Sequence, residues 1–182
     1  PAGTGKTRLA RRFGTERSPI LAGGAWFCDL AEVRRLEGVL GMVVSSLGLL
    51  AGNEAGTEQV GRAIAAHGQV LVILDNFEHL VEHAAATVGR WLDLAPEALF
   101  LVTSRERLHV RGERILELSP LPTRDALDLL VDRAMAVRRG MELTESDRQV
   151  LTEVCVQLDG IPLVIELAAS RLGTLSPAQL LK

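Results

Sequence analysis

The residues best equipped for chemistry stand at the start of the chain. Pro1-Ala2-Gly3-Thr4-Gly5-Lys6-Thr7 fills seven of the eight positions of G-x-x-x-x-G-K-[ST]. The first Gly of that pattern would stand one position ahead of Pro1. Glycines let successive backbone N–H groups curl around a phosphate without a Cβ in the way. The helix expected from Arg8 onward adds the partial positive charge of its N-terminus. In such a loop Lys6 reaches the β- and γ-phosphates, and the Thr7 hydroxyl takes one position around Mg²⁺. The competing reading is a chance Gly-rich turn ahead of a helix.

Three further segments carry polar groups at places where an α/β sheet binds ligands. Val70-Leu71-Val72-Ile73-Leu74 is a continuous apolar run ending in Asp75. Beside a phosphate loop, a carboxylate at a strand's C-terminal end belongs near the Mg²⁺ shell. Asp75 and Glu78 also have capping-box spacing, so a helix cap is the alternative. Asn76 follows, where many ATP-hydrolysing proteins place a second carboxylate. An amide is a poor base, which argues for slow hydrolysis. Glu78 is the nearest substitute, although a first-turn helix acid is its plainer reading, and His79 reads as a solvated helix residue. Leu101-Val102-Thr103-Ser104-Arg105 is a strand delivering polar residues at its end. There the forked guanidinium of Arg105 would meet a γ-phosphate; otherwise Arg105 is one member of a surface charge run, paired with Glu106 or Glu113. Gly160-Ile161-Pro162-Leu163 opens a helix, with Pro162 either packing on an adenine face or simply occupying the first helical turn.

The elements that must position these groups follow from pattern. Leu9 and Phe13 share one face of the first helix, and Gly14 is a plausible stop. Residues 25–30, 70–75, 99–103 and 114–118 read as parallel strands, with those at 70–75 and 99–103 buried. Helices are expected over about 33–50, 57–66 and 78–94, and a polar loop over 52–56. After Ser119-Pro120-Leu121-Pro122 all is helical. Leu127, Leu130, Val131 and Ala134 form an apolar stripe, and Thr144 with Asp147 has capping-box spacing. Asp159-Gly160 ends a helix, and Ser176-Pro177 opens another. The pattern predicts an α/β nucleotide-binding domain at 1–119 and a small all-α domain at 120–182.

Composition narrows the function classes. Of 182 residues, 47% are apolar and 24% charged, as in globular domains. A net charge of −3 argues against a nucleic-acid-binding surface, and the absence of Tyr argues against a base-stacking platform. No apolar run reaches the roughly 18 residues of a membrane span. Cys28 and Cys155 lack a CxxC partner and read as buried thiols of a reducing cytoplasm. The chain begins at Pro1 within its strongest motif, so an excerpt of a longer protein is expected.

Taken together, Gly3-Thr4-Gly5-Lys6-Thr7-Arg8-Leu9-Ala10, Leu74-Asp75-Asn76-Phe77-Glu78-His79-Leu80, Val102-Thr103-Ser104-Arg105-Glu106 and Gly160-Ile161-Pro162-Leu163 resemble the NB-ARC modules of STAND-class P-loop NTPases. The resemblance is greatest to the module inside large bacterial ATP-dependent transcriptional regulators. It implies an ADP/ATP switch of a cytoplasmic signalling protein, with slow hydrolysis. It places nucleotide at Gly3, Thr4, Gly5, Lys6, Thr7, Arg8, Arg105 and Pro162, and Mg²⁺ at Thr7 and Asp75. Lys6, Asp75 and Arg105 would act on the reacting phosphates. It implies self-association in the ATP state, DNA contact only through a flanking domain, and no membrane partner. Arg107 departs from the family, where Pro is frequent, and the winged-helix segment whose His contacts ADP would lie beyond residue 182. The resemblance also implies that the strand feeding the phosphate loop lies between those at 99–103 and 114–118, leaving the last poorly paired. The rival function is a fast AAA-type ATPase motor.

Overall fold

The computed structural model describes residues 2–48, 56–138 and 142–181. The chain divides into two compact units: Lys6–Leu116, and Glu117–Lys182 together with Pro1–Gly5.

The first unit is built on a parallel sheet in the order β1-β2-β3, formed by β1 (Ala25–Asp29), β2 (Leu71–Asp75) and β3 (Leu99–Val102). β2 is the middle strand and is buried at every residue, as its unbroken apolar run requires. Its side chains alternate between the two faces. Val70, Val72 and Leu74 enter a large core with Phe77, Leu80, Val88 and Trp91. Leu71 and Ile73 enter a small one with Ala10. The large core is roofed by α2 (Leu36–Ser46), α3 (Thr57–Ala65) and α4 (Arg90–Leu94); α1 (Lys6–Arg17) contributes Ala10 to the small one.

Several sequence expectations are corrected here. Gly14 does not stop α1 but lies inside it, because a Cβ there would come within 2.6 Å of Ile73 Cδ1; the bare backbone is what lets helix and strand approach. The same approach buries Ala10 and Gly14 and turns Leu9 and Phe13 outward, at 48% and 36% exposure. β3 is not buried: Leu99 is 54% exposed and the rest of the strand half-buried. Among the described residues β3 pairs only with β2. Residues 114–118 form no strand, and Ile115 and Leu116 are exposed. A strand exists through its ladder, and no described strand pairs with this segment.

The helix expected over 78–94 is broken into 3₁₀ turns at Phe77–His79 and Val81–His83, a π turn at Ala85–Gly89, and α4. The Thr87 hydroxyl donates to the His83 carbonyl, and the Gly89 N–H reaches the carbonyl of Ala84 five residues back. The helix expected over 33–50 runs only from Leu36 to Ser46, residues 49–50 lying outside the described residues, as do 52–55 of the expected polar loop.

The second unit packs α5 (Thr123–Val137), α6 (Glu145–Gln157), α7 (Pro162–Arg171) and α8 (Pro177–Leu180) around Leu130, Leu151, Ile165 and Leu172. Ala126, Leu130, Val131 and Ala134 are the buried positions of α5, with Leu127 packed at their margin. Thr144 and Asp147 form the capping box that opens α6, and Ser176 with Gln179 forms one at α8. Past α6 the chain turns at Gly160, where a Cβ would strike the Leu121 carbonyl oxygen.

Candidate functional site

The loop ahead of α1 has the backbone that its glycines foretell. Gly3 and Gly5 adopt φ of +75° and +89°, conformations that a Cβ disfavours. Lys6 is the first residue of α1, whose opening turn contains no acidic side chain to compete for its N-terminal charge. Thr4 is buried and Arg8 exposed.

Inside the first unit, Thr7 and Asp75 meet although 68 residues separate them: the Thr7 hydroxyl donates to Asp75 Oδ1 at 3.0 Å. Asp75 is the last residue of β2 and is fully buried. It does not cap the following 3₁₀ turn; Asn76 precedes that turn, with no side-chain cap. The Asp75 carboxylate is held from other directions as well. The Thr103 hydroxyl donates to Oδ1, and Asn76 Nδ2 donates to Oδ2 at 3.2 Å.

Asn76 is more than a neutral stand-in for an acid. Its backbone is left-handed, φ +64°. Its amide nitrogen lies 3.2 Å from Asp29 Oδ1 as well as from Asp75. Asp29 and Asp75 are register partners in the β1–β2 ladder, so Asn76 bridges two carboxylates that the parallel pairing sets side by side. Sequence reasoning passed over Asp29 and Thr103. Each is the polar residue at or just beyond the end of an apolar strand, and that was the available signal.

Arg105 lies just past β3. Its Nε donates to Glu78 Oε1 at 2.8 Å. Neither Glu106 nor Glu113 holds it: the Glu113 carboxylate accepts the main-chain N–H groups of Leu108 and His109. His79 is exposed, with Nε2 3.2 Å from the Leu30 carbonyl oxygen. In the second unit, Pro162 occupies the first turn of α7, and the next residue's N–H, that of Leu163, donates to Gly3 O at 3.2 Å. A Cβ on Gly3 would press on Leu163 Cβ and Ile161 Cγ2 at 3.1 and 3.2 Å, a second reason for glycine there.

Cys28 and Cys155 are buried and unbridged. Burial raises the pKa of both thiols; a hydrogen bond from Ser46 partly offsets it at Cys28. Among the described residues no cluster of three His, Cys, Asp or Glu side chains forms, and no helix is long and apolar enough to cross a membrane.

A parallel sheet with a glycine loop opening its first helix, and a helical unit after it, defines the P-loop NTPase type of fold. One solved structure, that of Drosophila ORC bound to DNA, superposes with a TM-score of 0.70 at 16% identity, over 94% of this chain and 53% of that one. No protein-family model matches the chain. The uncharacterized Mycobacterium tuberculosis protein Rv0894 is 38% identical over 184 residues, covering all of this chain and 46% of its own length. Rv0890c of the same organism, whose name proposes an HTH-type transcriptional regulator, is 34% identical over 179 residues, or 98% of this chain and 20% of that protein. The regulatory protein AfsR of Streptomyces griseus is 29% identical over 94% of this chain and 18% of its own length. The chain is thus related to segments of transcriptional regulators and spans less than half the length of each of these relatives.

Proposed function

We propose that this chain is the ATP/ADP-binding switch module of a cytoplasmic transcriptional regulator of the NB-ARC/STAND class, hydrolysing ATP slowly. The observation that carries the reading is the Thr7–Asp75 hydrogen bond, with Thr7 following Gly5-Lys6 in the sequence. The donors there are a hydroxyl and a carboxylate, hard oxygens that suit Mg²⁺, which keeps several waters and binds through few protein groups plus phosphate. Thr7 and Asp75 would hold the ion, and the bound ion supplies charge neutralisation at the β- and γ-phosphates. Gly3, Thr4 and Gly5 offer main-chain N–H groups to phosphate oxygens, and Lys6 neutralises them. Arg8, at the start of α1, and Pro162, in the second unit, are the remaining nucleotide-contacting residues of this reading.

Slow turnover follows from Asn76. Its amide bridges Asp29 and Asp75 and cannot accept a proton from water. A fast motor needs a base there, so turnover separates the two functions. Output is a population shift: ATP, through Arg105, makes a γ-phosphate contact that ADP lacks, and that difference biases domain arrangement and self-association. DNA is contacted by a flanking domain, as the HTH name of one relative suggests.

The test is titration with ATP and ADP. Lys6→Ala abolishes binding of both, since the phosphate charge is left uncompensated. Retained micromolar binding by the variant overturns the reading. Wild-type turnover stays below about 1 s⁻¹, under the ordinary enzyme range; tens per second would favour the motor.

A further inference from the structure

The ends of β2 and β3 are clasped together within the first unit. The Asn76 N–H donates to the Thr103 hydroxyl at 3.1 Å and the Phe77 N–H to the Thr103 carbonyl at 3.0 Å. The Thr103 hydroxyl in turn donates to Asp75. Thr103 therefore fixes the start of the Ser104-Arg105 segment against the carboxylate that Thr7 also touches. Two residues past this anchor, Arg105 leans back along the clasp to Glu78, two residues past Asn76. The pair is lopsided: the Glu78 side chain is 15% exposed and that of Arg105 58%. Glu78 is the sheltered partner, and Arg105 is the one that solvent and a ligand can reach.

We propose that Glu78 is a specificity-determining residue of the nucleotide site, a built-in competitor that holds the Arg105 guanidinium until a γ-phosphate draws it away. This inference rests on the nucleotide-switch reading above and deepens it. Guanidinium and carboxylate form a charge-assisted hydrogen bond of the same kind as guanidinium and phosphate. Nε, the donor taken by Glu78, sits at the base of the fork and sets the plane of the other N–H groups. While Glu78 keeps Nε, that plane is committed to the protein. A triphosphate must exchange one anion for another, whereas a diphosphate has no γ-phosphate with which to compete. Glu78 thereby lowers the resting preference for ATP over ADP. It also keeps the Arg105 charge compensated when no γ-phosphate is present.

The experiment compares dissociation constants for ADP and a non-hydrolysable ATP analogue in the wild type, Glu78→Gln, Arg105→Ala and the double variant. It uses the longest polypeptide carrying the chain, with thermal melts as a check on folding. Glu78→Gln raises the ATP-analogue preference by roughly two- to five-fold, the size expected for release of a partly exposed ion pair. Glu78→Asp, one methylene shorter with the charge kept, moves it the same way by less. In the Arg105→Ala background Glu78→Gln has no further effect on the ratio.

An unchanged ratio in Glu78→Gln overturns the proposal. So does a lowered ratio, which would make Glu78 a support for Arg105, and so does an equal rise without Arg105, which would reduce the effect to plain charge repulsion. Each of these leaves both nucleotides bound and Lys6→Ala inactive in binding. Failure of the underlying reading looks different: the wild type binds neither nucleotide.

Discussion

The two faces of the β2 strand are built to opposite plans. One face meets Phe77, Leu80, Val88 and Trp91, all at most 2% exposed. The other meets α1 through Ala10 and the bare backbone of Gly14, with Leu71 and Ile73 the strand residues buried beneath among the described residues. Arg11 supplements this thin face by laying its guanidinium 3.9 Å from the centroid of the Phe27 ring. The thick face supplies hydrophobic burial in bulk. The thin face exchanges burial for proximity, bringing Thr7, in the first turn of α1, within hydrogen-bond reach of Asp75, at the end of β2. A bulky interface would hold helix and strand farther apart and separate those two oxygens. The Thr7–Asp75 contact thus lies on the side where side chains are smallest, and the bulk of the buried core on the side where they are largest.

Truncation on the thick face should have the largest effect. Trp91→Ala removes a fully buried indole whose Nε1 donates to the Thr57 carbonyl, and should cost about 3–5 kcal/mol, read as a lowered denaturation midpoint.

Enlargement on the thin face comes next. Gly14→Val forces branched carbon toward Ile73 and should cost about 1–3 kcal/mol. It should also weaken nucleotide binding by moving α1, whereas Trp91→Ala in a stabilising background should not. Gly41 is the internal control, an exposed mid-helix glycine with nothing within 4 Å of a Cβ: Gly41→Ala should stabilise by up to about 1 kcal/mol. If Gly14→Val were as harmless, the close-approach account of α1 would fail.

Leu9→Ser on the outer side of α1 should change stability by no more than about 0.5 kcal/mol, since the residue is half-exposed. A larger loss in the longest available polypeptide would mean that something covers it there.

The smallest effect is a pH effect. Burial raises the Cys28 pKa, so its contribution to stability is fully present below the unfolded-state thiol pKa and is lost as pH rises through the folded value. Native Cys28 should resist alkylation at neutral pH and react once denaturant is added. Rapid labelling of the folded chain would contradict its placement on the thick face.

Much of this arrangement was legible beforehand where a local rule is decisive. The apolar run before Asp75 announced a strand buried on both faces, and β2 is one. Thr144 with Asp147 announced a capping box that is present, with the Asp147 pKa held down chiefly by the Thr144 hydrogen bonds. The glycines announced a loop in which a Cβ would be in the way, and Gly3 and Gly5 adopt the positive φ that a Cβ disfavours. Misreadings fell where a distant partner overrules a local preference. Leu9 and Phe13 share a helix face by spacing, but the sheet selected the neighbouring face with Ala10 and Gly14. The strand at 99–103 has a buried strand's composition, yet exposure depends on what lies beside and above it. The ion pair of Arg105 could not be chosen from its own charge run, because its partner is 27 residues away.

By itself, then, the sequence determined the glycine loop ahead of α1, the alternation of strand and helix, the helical character after Pro122, the capped start of α6 and the opening of α8 at Ser176-Pro177. These follow from φ restrictions, hydrophobic period and hydrogen bonds spanning three or four residues, all of them contained within a single segment. Only the tertiary structure decided which face of α1 is buried, that Asp75 is shared by Thr7, Thr103 and Asn76, and that Glu78 holds Arg105. Those outcomes depend on distances between residues 27 to 68 apart in sequence, together with one contact between neighbours, Asn76 to Asp75, that exists only because of the left-handed turn at the strand's end. Packing sets such distances: the room left by one absent methyl group at Gly14 fixes how near α1 and β2 can come.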